Sequence, residues 1–404
     1  MKDDDKRTLT PRLRFPEFRN AQGWNTAALE KIAKRVSAKN ADGNVIRVLT
    51  NSAEHGVLDQ RDFFDRDIVT TGKVNGYYVV DRGDFVYNPR TSTFAPVGPI
   101  SRNNIGKGVM SPLYTVFRFS ARHTDFYEHY FRSAGWHSYL RGTASTGARH
   151  DRLSITTRAF MQMPIPIPPA AEQQKIAECL TSLDELIAGQ GRKVEALKAH
   201  KKGLMQQLFP REGETLPRLR FPEYADDDRS SFKPIGDFAK VTTGGKDTQN
   251  KVDDGKYPFF VRSQNVERID SFSHDGEAVL TSGDGVGVGK NYHYIDGKFD
   301  FHQRVYCIYD FTDHASGQFF FQYFSLHFKK RVKQMSAKNS VDSVRMSMIT
   351  DMPIWLPEIA EQQRIADCLS ALDALISAET DKLAALKTHK RGLMQQLFPS
   401  PEAV

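Results

Sequence analysis

Apolar residues recur at alternating steps of three and four in two long stretches of the chain. In the first stretch they are Ile176, Leu180, Leu183, Ile187, Val194, Leu197, Leu204 and Leu208. In the second they are Ile365, Leu369, Leu372, Ile376, Leu383, Leu386, Leu393 and Leu397. Polar residues fill the register at matching places, namely Gln190, Lys201, Glu379 and Lys390. This spacing is the seam of a coiled coil. It predicts two long helices, each a rod on the order of 58 Å at about 1.5 Å per residue.

The two stretches belong to a repeat. Residues 168–210 return as 357–399, and 27 of the 43 aligned positions are identical. A shorter segment, Pro11–Glu17, recurs unchanged as Pro217–Glu223. The regions between these blocks differ in length and share little sequence. Two interpretations stay open: a fixed scaffold that carries two different recognition lobes, or a duplicated fold in which only the core helices resisted drift.

Each variable region has the pattern of a mixed α/β lobe with short strands. The strands predicted for the first lobe are Val79–Val80, Asp84–Tyr87 and Leu113–Phe119, followed by a helix over Asp125–Leu140. Those predicted for the second are Pro258–Val261, Glu277–Leu280 and Val305–Tyr309, followed by a helix over Phe319–Val332. We interpret most of the many aromatic residues here as core rather than as base-stacking groups.

Composition excludes some classes of protein. The 404 residues are 39% hydrophobic and 26% charged, as in globular proteins, and no apolar run is long enough to cross a bilayer. The polar amino terminus has no secretory pattern, and Cys179, Cys307 and Cys368 follow no metal spacing, which favours a reduced cytoplasm. The net charge of +7 is uneven: residues 18–169 carry +8 and residues 224–356 carry −1. If both lobes bind nucleic acid, the second must use a local basic patch.

Polar loops with basic residues are the candidates for that contact. In each lobe one such loop follows the predicted helix and another lies earlier, after a strand. Arg, Asn, Ser and Thr on such loops suit phosphate contacts and base-edge hydrogen bonds, although an ordinary solvated loop has the same composition. The predicted DNA contacts of the first lobe are Arg90, Thr91, Ser92, Lys107, Arg141, Ser145, Thr146, Arg149 and Arg152. Those of the second are Arg262, Gln264, Lys290, Asn291, Arg304, Lys333, Lys338, Asn339, Ser340 and Arg345.

The motifs of a DNA-modifying enzyme are incomplete. Asn88-Pro89-Arg90-Thr91 lacks the second proline and the aromatic residue of the adenine methyltransferase motif. The glycine-rich run from Gly283 to Lys290 has Asp284 where a phosphate-binding loop needs its first glycine, and Asn291 follows the lysine. No Pro-Asp dipeptide exists for a nuclease, and the histidines show no metal spacing. We therefore expect no catalytic residues, no metal site and no cofactor on this chain.

The shared blocks resemble those of type I restriction-modification specificity subunits. The resemblance rests on the proline-rich strand ends that run into Glu-Gln-Gln at 172–174 and 361–363, the long helices, and the closing Gly-Leu-Met-Gln-Gln-Leu-Phe-Pro. It covers the order of parts along the whole chain and is weak inside the lobes. It implies that each lobe recognises half of a bipartite DNA target and that the helices set the gap. It also implies docking of two methyltransferase subunits, which bind S-adenosylmethionine, and of restriction subunits, which bind ATP and magnesium.

These expectations define a fold class. The chain should be α+β, with two mixed α/β target-recognition lobes joined by two helices in an antiparallel, pseudo-twofold coiled coil. We favour the antiparallel arrangement because parallel helices would place both lobes at one end, whereas DNA half-sites lie along a line. The predicted parts are residues 1–169, 170–210, 211–356 and 357–404. The predicted partner contacts are Glu172, Gln173, Gln174, Gln206, Gln207, Glu361, Gln362, Gln363, Gln395 and Gln396. A free-standing DNA-binding regulator and a protein-assembly scaffold remain as alternatives.

Overall fold

A computed structural model shows an α+β chain in two units. The structure describes residues 8–63, 74–121, 124–146, 151–227, 229–335 and 343–399. Unit 1 comprises Met1–Gly189 with Lys382–Val404, and unit 2 comprises Gln190–Asp381. Each unit therefore contains one variable lobe together with part of each long helix, and the predicted α+β class is confirmed.

Unit 1 contains short strands and short helices before the first long helix begins. The strands are β1 Asn25–Ala28, β2 Ala33–Val36, β3 Leu49–Ser52, β4 Gly56–Asp59, β5 Tyr78–Val80, β6 Phe85–Tyr87, β7 Ile100–Arg102, β8 Gly108–Met110, β9 Thr115–Phe119, β10 Ser145–Thr146, β11 Leu153–Ser154 and β12 Pro164–Ile167. The helices are α1 Leu29–Ile32, α2 Gln60–Phe63, α3 Asp125–Phe131, α4 His137–Thr143, α5 Thr157–Met161 and the long helix α6, Ala170–Leu208. The single helix predicted over Asp125–Leu140 is thus two helices, α3 and α4, because the chain turns at Ser133–Trp136.

Unit 2 has longer strands and one longer helix in its lobe. The strands are β13 Ser231–Pro234, β14 Lys240–Thr243, β15 Tyr257–Phe260, β16 Glu267–Ile269, β17 His274–Ser282, β18 Tyr292–Phe301, β19 Val305–Tyr309 and β20 Pro353–Leu356. The helices are α7 Gly317–Met335, α8 Met346–Thr350 and the second long helix α9, Ile359–Leu397. The predicted strand Pro258–Val261 is shifted by one residue from β15. The predicted strands Glu277–Leu280 and Val305–Tyr309 lie within β17 and β19.

The two lobes share a topology although their sequences differ. In unit 1 four strands are ordered β2-β9-β6-β7, and in unit 2 the matching strands are ordered β14-β19-β17-β18, with β15 and β16 added beyond β18. In each unit the strand before the long helix pairs antiparallel with an early strand, β12 with β1 and β20 with β13. The repeat in sequence is therefore also a repeat in fold.

Aromatic side chains fill both cores, as the sequence predicted. In unit 1 Phe85, Phe117 and Phe160 are fully buried, and Phe126 packs against Phe398 with 5.5 Å between ring centroids. In unit 2 Phe209, Phe319 and Trp355 are fully buried in the main core. Phe209 and Phe398 belong to the repeated Leu-Phe-Pro that closes each long helix, so each lobe packs around the end of one helix.

Helices α6 and α9 pair antiparallel within each unit. In unit 2 Gln190 donates from Nε2 to Oε2 of Glu379 at 2.6 Å, and Lys201 forms an ion pair with Asp373 at 2.6 Å. From Gln190 to Lys201 the residue number rises along α6, while the partner on α9 changes from Glu379 to Asp373 and its number falls, so the two helices run antiparallel. In unit 1 Lys390 pairs with Asp184, the repeat equivalent of the Lys201 pair. The polar residues that interrupt the predicted seam are thus paired across it, and the antiparallel prediction is confirmed within each unit.

A buried ion pair fastens each repeated amino-terminal segment to the start of a long helix. In unit 1 Arg14 donates to Glu172 from Nε at 2.8 Å and from Nη2 at 2.6 Å, and Trp24 Nε1 donates to the same carboxylate at 2.9 Å. These hydrogen bonds raise the pKa of Arg14 above its ordinary value. In unit 2 Arg220 donates to Glu361 in the same two-pronged way, at 2.9 and 2.5 Å.

Burial corrects part of the predicted partner surface. The side chains of Glu172 and Glu361 are fully buried in these ion pairs. Gln362 is also buried, and its amide donates to the carbonyls of His314 and Pro357, each at 2.8 Å. Direct contact of these three side chains with a partner was therefore the wrong expectation, because each is enclosed and hydrogen-bonded within its own unit. Gln174, Gln206, Gln207, Gln363, Gln395 and Gln396 are exposed, and Gln173 is half-buried.

Candidate nucleic-acid interface

In unit 1 the structure brings the two predicted DNA-contacting loops together. Arg90, after β6, forms an antiparallel bridge with Arg152, just before β11. The backbone N–H of Leu153 donates to Pro89 O at 3.0 Å, and that of Thr91 donates to Asp151 O at 2.9 Å. These segments are more than 60 residues apart in sequence, so the juxtaposition is a property of the fold.

The short strands next to this junction add to the same surface. Ser145 and Thr146, in β10, pair antiparallel with Ser154 and Leu153, in β11. The Arg90 side chain is 64% exposed and lies 3.3 Å from a carboxylate oxygen of Asp151. The loop thus presents guanidinium and hydroxyl groups to solvent on backbone that is held by main-chain hydrogen bonds.

Unit 2 forms the equivalent junction from unrelated sequence. Asp284, after β17, bridges antiparallel to Ser343, and the backbone N–H of Val344 donates to Gly283 O at 2.7 Å. Tyr306 supports it from β19, because its hydroxyl donates to Val344 O at 3.0 Å. Arg345 follows directly and is exposed. In both units, therefore, the loop after the central strand pairs with the segment that leads into the last short helix.

Asp284 organises the basic residues of unit 2. Arg262 donates from Nη1 to its carboxylate at 2.9 Å, and Arg304 lies 3.8 Å from the other carboxylate oxygen. Asn291 donates from Nδ2 to Arg262 O at 3.1 Å. Two predicted DNA contacts, Arg262 and Arg304, thus lie at one carboxylate, and a third, Asn291, is hydrogen-bonded to the backbone of Arg262. Sequence reasoning used Asp284 only to reject a phosphate-binding loop and missed this role.

A histidine near this cluster is held neutral. Burial, followed by the positive charge of Arg262, lowers the pKa of His302. Its Nδ1 accepts a hydrogen bond from the backbone N–H of Arg304 at 2.9 Å. The arginines, rather than the histidine, therefore supply the positive charge of this surface at neutral pH.

Other predicted contacts lie outside the paired backbone of the two junctions. Lys107 follows β7. Strands β6 and β7 form a hairpin, and Arg90 lies at its loop end, whereas Lys107 lies past its other end, where the backbone N–H of Asn103 donates to Asp84 O. Arg141 is exposed near the end of α4, and Gln264 is exposed in the turn after β15. Lys333 lies on α7. This helix packs closely against the unit 2 loop at Gly289, since a Cβ added to Gly289 would lie only 3.1 Å from Cγ of Lys329 on α7. Ser92 and Lys290 are exposed on the loops after β6 and β17.

Some predictions fall outside the described residues. These are the predicted contacts of Arg149, Lys338, Asn339 and Ser340 and the side chain of Thr146. In the parts of the chain that the structure describes, no group of three or more His, Cys, Asp or Glu is placed to hold a metal ion. The helices among the described residues include none that is both long and apolar enough to span a bilayer.

Two exposed apolar side chains at this surface were not predicted. Phe94 is 72% exposed on the loop after β6, and Val286 is 89% exposed on the loop after β17. The sequence predicted most aromatic residues to lie in the core, and it gave Val286 no role. No periodic signal marks an apolar residue inside a loop, so only the structure distinguishes them.

Comparison with known proteins identifies the family. The type I restriction modification DNA specificity domain matches residues 61–199 and 228–388, one copy in each half of the chain. The chain is 31% identical over 150 residues to the type I restriction enzyme EcoDI specificity subunit of Escherichia coli, covering 37% of this chain and 32% of that protein. It is 26% identical over 287 residues to the MjaVIII specificity subunit of Methanocaldococcus jannaschii, covering 65% of this chain and 66% of that one.

Solved structures show the same fold. The S subunit of the type I restriction-modification system from M. genitalium superposes with a TM-score of 0.62 at 12% identity, over 97% of this chain and 100% of that one. A chain from a structure of complex assembly and conformational transition in the type I R-M system superposes with a TM-score of 0.56 at 16% identity, over 94% and 98%. The chain spans about a third and about two thirds of the two curated relatives. It belongs to the family of type I restriction-modification DNA specificity subunits.

Proposed function

We propose that this chain is the DNA-recognition subunit of a type I restriction-modification enzyme and is not itself catalytic. Each lobe binds one half of a bipartite double-stranded target through its loop junction. Two methyltransferase subunits dock on the long helices and restriction subunits join them, in the cytoplasm where the DNA lies. S-adenosylmethionine belongs to the methyltransferase subunits, and ATP and magnesium belong to the restriction subunits.

One observation carries this proposal. Both units join the same two loops by the same main-chain pairing, Arg90 with Arg152 and Asp284 with Ser343, although the loop sequences are unrelated. A fold that keeps a surface in place while its side chains diverge suits recognition of different half-sites. Base edges are distinguished by side-chain hydrogen bonds, so different targets require different side chains on a constant backbone.

The charge distribution supports a DNA surface in both units. Unit 1 combines Arg90 and Arg152 with a lobe that carries +8 over residues 18–169. The unit 2 lobe carries −1 over residues 224–356, yet Arg262, Arg304 and Arg345 lie on or next to its junction. A local cluster is sufficient, because phosphate contacts act within about one Debye length, ~8–10 Å in physiological salt.

The long helices offer a surface for partners. Leu186 is 51% exposed and Leu375 is 42% exposed, and these residues occupy the same position in the two copies of the repeat. The glutamines near the helix ends, Gln206 and Gln395 among them, are exposed in both copies. Apolar groups that remain exposed at matching positions favour a protein contact made twice.

Modification-sensitive sequencing tests the proposal. DNA is sequenced from cells that express this chain with its methyltransferase subunits, and from cells that lack the chain. We expect a split motif with a fixed gap that disappears without the chain. Arg90→Ala should relax or abolish only one half of the motif, and Arg304→Ala only the other. Lys233→Ala, an exposed cation on β13 away from the junction, is the matched control. An unsplit motif, or one that persists without the chain, would favour a regulator or a scaffold.

A further inference from the structure

We propose that Phe94 and Val286 contact DNA bases through their apolar surfaces, one in each half-site. This inference rests on the proposed function and adds to it a class of contact that the polar candidates do not provide. The two residues lie at corresponding places, on the loop that follows the central strand of each lobe, β6 in unit 1 and β17 in unit 2.

The loop of unit 1 holds Phe94 outward on a fixed backbone. Ser92 and Ala95 exchange both backbone hydrogen bonds, at 3.0 and 3.2 Å, so Thr93 and Phe94 form the tip of a tight turn. Ala95 and Val97 are buried directly behind the tip, and the hydroxyl of Tyr87 donates to Val97 O at 3.0 Å. The ring is therefore exposed because the turn places it there, and not because the loop lacks anchoring contacts.

The loop of unit 2 presents Val286 by different means. Val286 is the middle residue of a short 3₁₀ turn, Gly285–Gly287, and Val288 is buried behind it. Gly285 has a φ of +73°, which favours glycine, and a Cβ on Gly287 would lie 2.3 Å from Nδ2 of Asn291. This backbone is thus specific to its sequence, and it too directs an apolar side chain into solvent.

The surroundings of both tips indicate nucleic acid as the partner. Arg90 lies four residues before Phe94, and Arg262 and Arg304 both lie within 3.8 Å of Asp284, two residues before Val286. A protein partner for an apolar side chain is usually itself apolar, whereas cations and hydroxyls around an apolar tip match a groove bordered by phosphates. In DNA-binding proteins apolar side chains insert between base steps or pack against thymine methyl groups.

The two side chains should differ in what they do. A phenyl ring can stack on an unstacked base or wedge into a base step, and stacking on an aromatic ring typically changes affinity by about tenfold to a hundredfold. Valine has no ring, so it can pack only against a methyl group or a sugar, with an effect of about tenfold at most. Substitution of either residue removes no positive charge. The dependence of affinity on salt should therefore stay unchanged, because that slope counts neutralised phosphates.

Binding measurements on the full chain, purified with its methyltransferase subunits, test the proposal. The probe is a duplex that carries the motif found by sequencing, together with duplexes substituted at single base pairs in each half. Phe94→Ala should weaken binding about tenfold to a hundredfold and reduce base discrimination in one half-site only. Val286→Ala should reduce discrimination in the other half-site. Ile46→Ala and Val252→Ala, which are 69% and 41% exposed on other segments of the same units, are the matched controls.

Arg90→Ala separates this inference from the proposed function. It should weaken binding and also lower the salt slope by about one, since it removes a charge. If Phe94→Ala behaves like Ile46→Ala while Arg90→Ala weakens binding, the apolar contact is refuted and the recognition surface stands. If Arg90→Ala and Arg304→Ala are also silent, the proposed surface itself fails. Weaker association of Phe94→Ala with the methyltransferase subunits in the absence of DNA would overturn the inference in favour of a protein contact.

Discussion

Replacing Glu172 with glutamine should loosen unit 1 far more than unit 2. The carboxylate is fully buried and accepts from Arg14 at 2.8 and 2.6 Å and from Trp24 at 2.9 Å. Glutamine keeps the shape but removes the charge, and it leaves a buried guanidinium without its counter-ion. Breaking such a pair typically costs about 3–5 kcal/mol.

Hydrogen exchange measured peptide by peptide is the appropriate assay, because a chain with two units has no single free energy of unfolding. A loss of 3–5 kcal/mol corresponds to exchange faster by about a hundredfold to several thousandfold in those amides that exchange by unfolding of unit 1. Glu361→Gln is the matched variant for unit 2. It should cost unit 2 a similar amount, about 3–5 kcal/mol, because Glu361 accepts from Arg220 in the same two-pronged, buried geometry.

A double variant tests the cause of the effect. Arg14→Met combined with Glu172→Met removes both charges and should recover most of the lost protection. The remaining deficit should be about 1–3 kcal/mol, because the Trp24 N–H is left without an acceptor. The reasoning is refuted if Glu172→Gln accelerates unit 1 exchange by less than tenfold, or if the double variant is as unstable as the single one.

Two further predictions concern the helices and the response to acid. Deleting the matching heptads Leu186–Arg192 and Leu375–Asp381 shortens each helix by about 10 Å, so the gap in the methylated motif should shrink by about three base pairs with both halves kept, as sequencing would show. Burial, followed by the charges of Arg132 and Lys390, lowers the pKa of His129 to about 4. Because the unfolded pKa is near 6.5, this histidine adds stability above that pH and loses it as pH falls towards 4. Unit 1 should therefore lose about 2 kcal/mol by pH 5, measured by hydrogen exchange, and His129→Gln should lessen the loss.

Local and repeated patterns made the helices predictable from sequence. The apolar series lie within α6 and α9 and end with them at Leu208 and Leu397, and the interruptions at Gln190 and Lys201 proved to be paired residues. Properties that depend on distant residues were not predictable. Glu172 resembles an exposed residue in the first turn of a helix, but Arg14 and Trp24, 158 and 148 positions away, bury it and donate to its carboxylate.

The candidate DNA surface of each lobe was predicted as separate loops. Sequence identified both loops of each lobe from their composition, but not that Arg90 meets Arg152, because β pairing across 62 positions leaves no local trace. It assigned Phe94 to no role, since an aromatic residue in isolation favours the core. The burial of Glu361 and Gln362 was missed for the same reason, because exposure is a property of the folded surroundings and not of residue type.

Main-chain hydrogen bonds hold the two loop junctions, so the side chains on these loops are free to change during evolution. The bonds from Leu153 N–H to Pro89 O and from Val344 N–H to Gly283 O involve no side chain of Arg90, Arg152, Ser343 or Arg345. Substitutions at these four positions can therefore accumulate without loss of the backbone that presents them. Under the proposed function, each substitution alters the DNA sequence that is recognised while stability is nearly untouched, so new specificities are open to selection one mutation at a time. The lobes can then drift apart in sequence while the strand order within them persists.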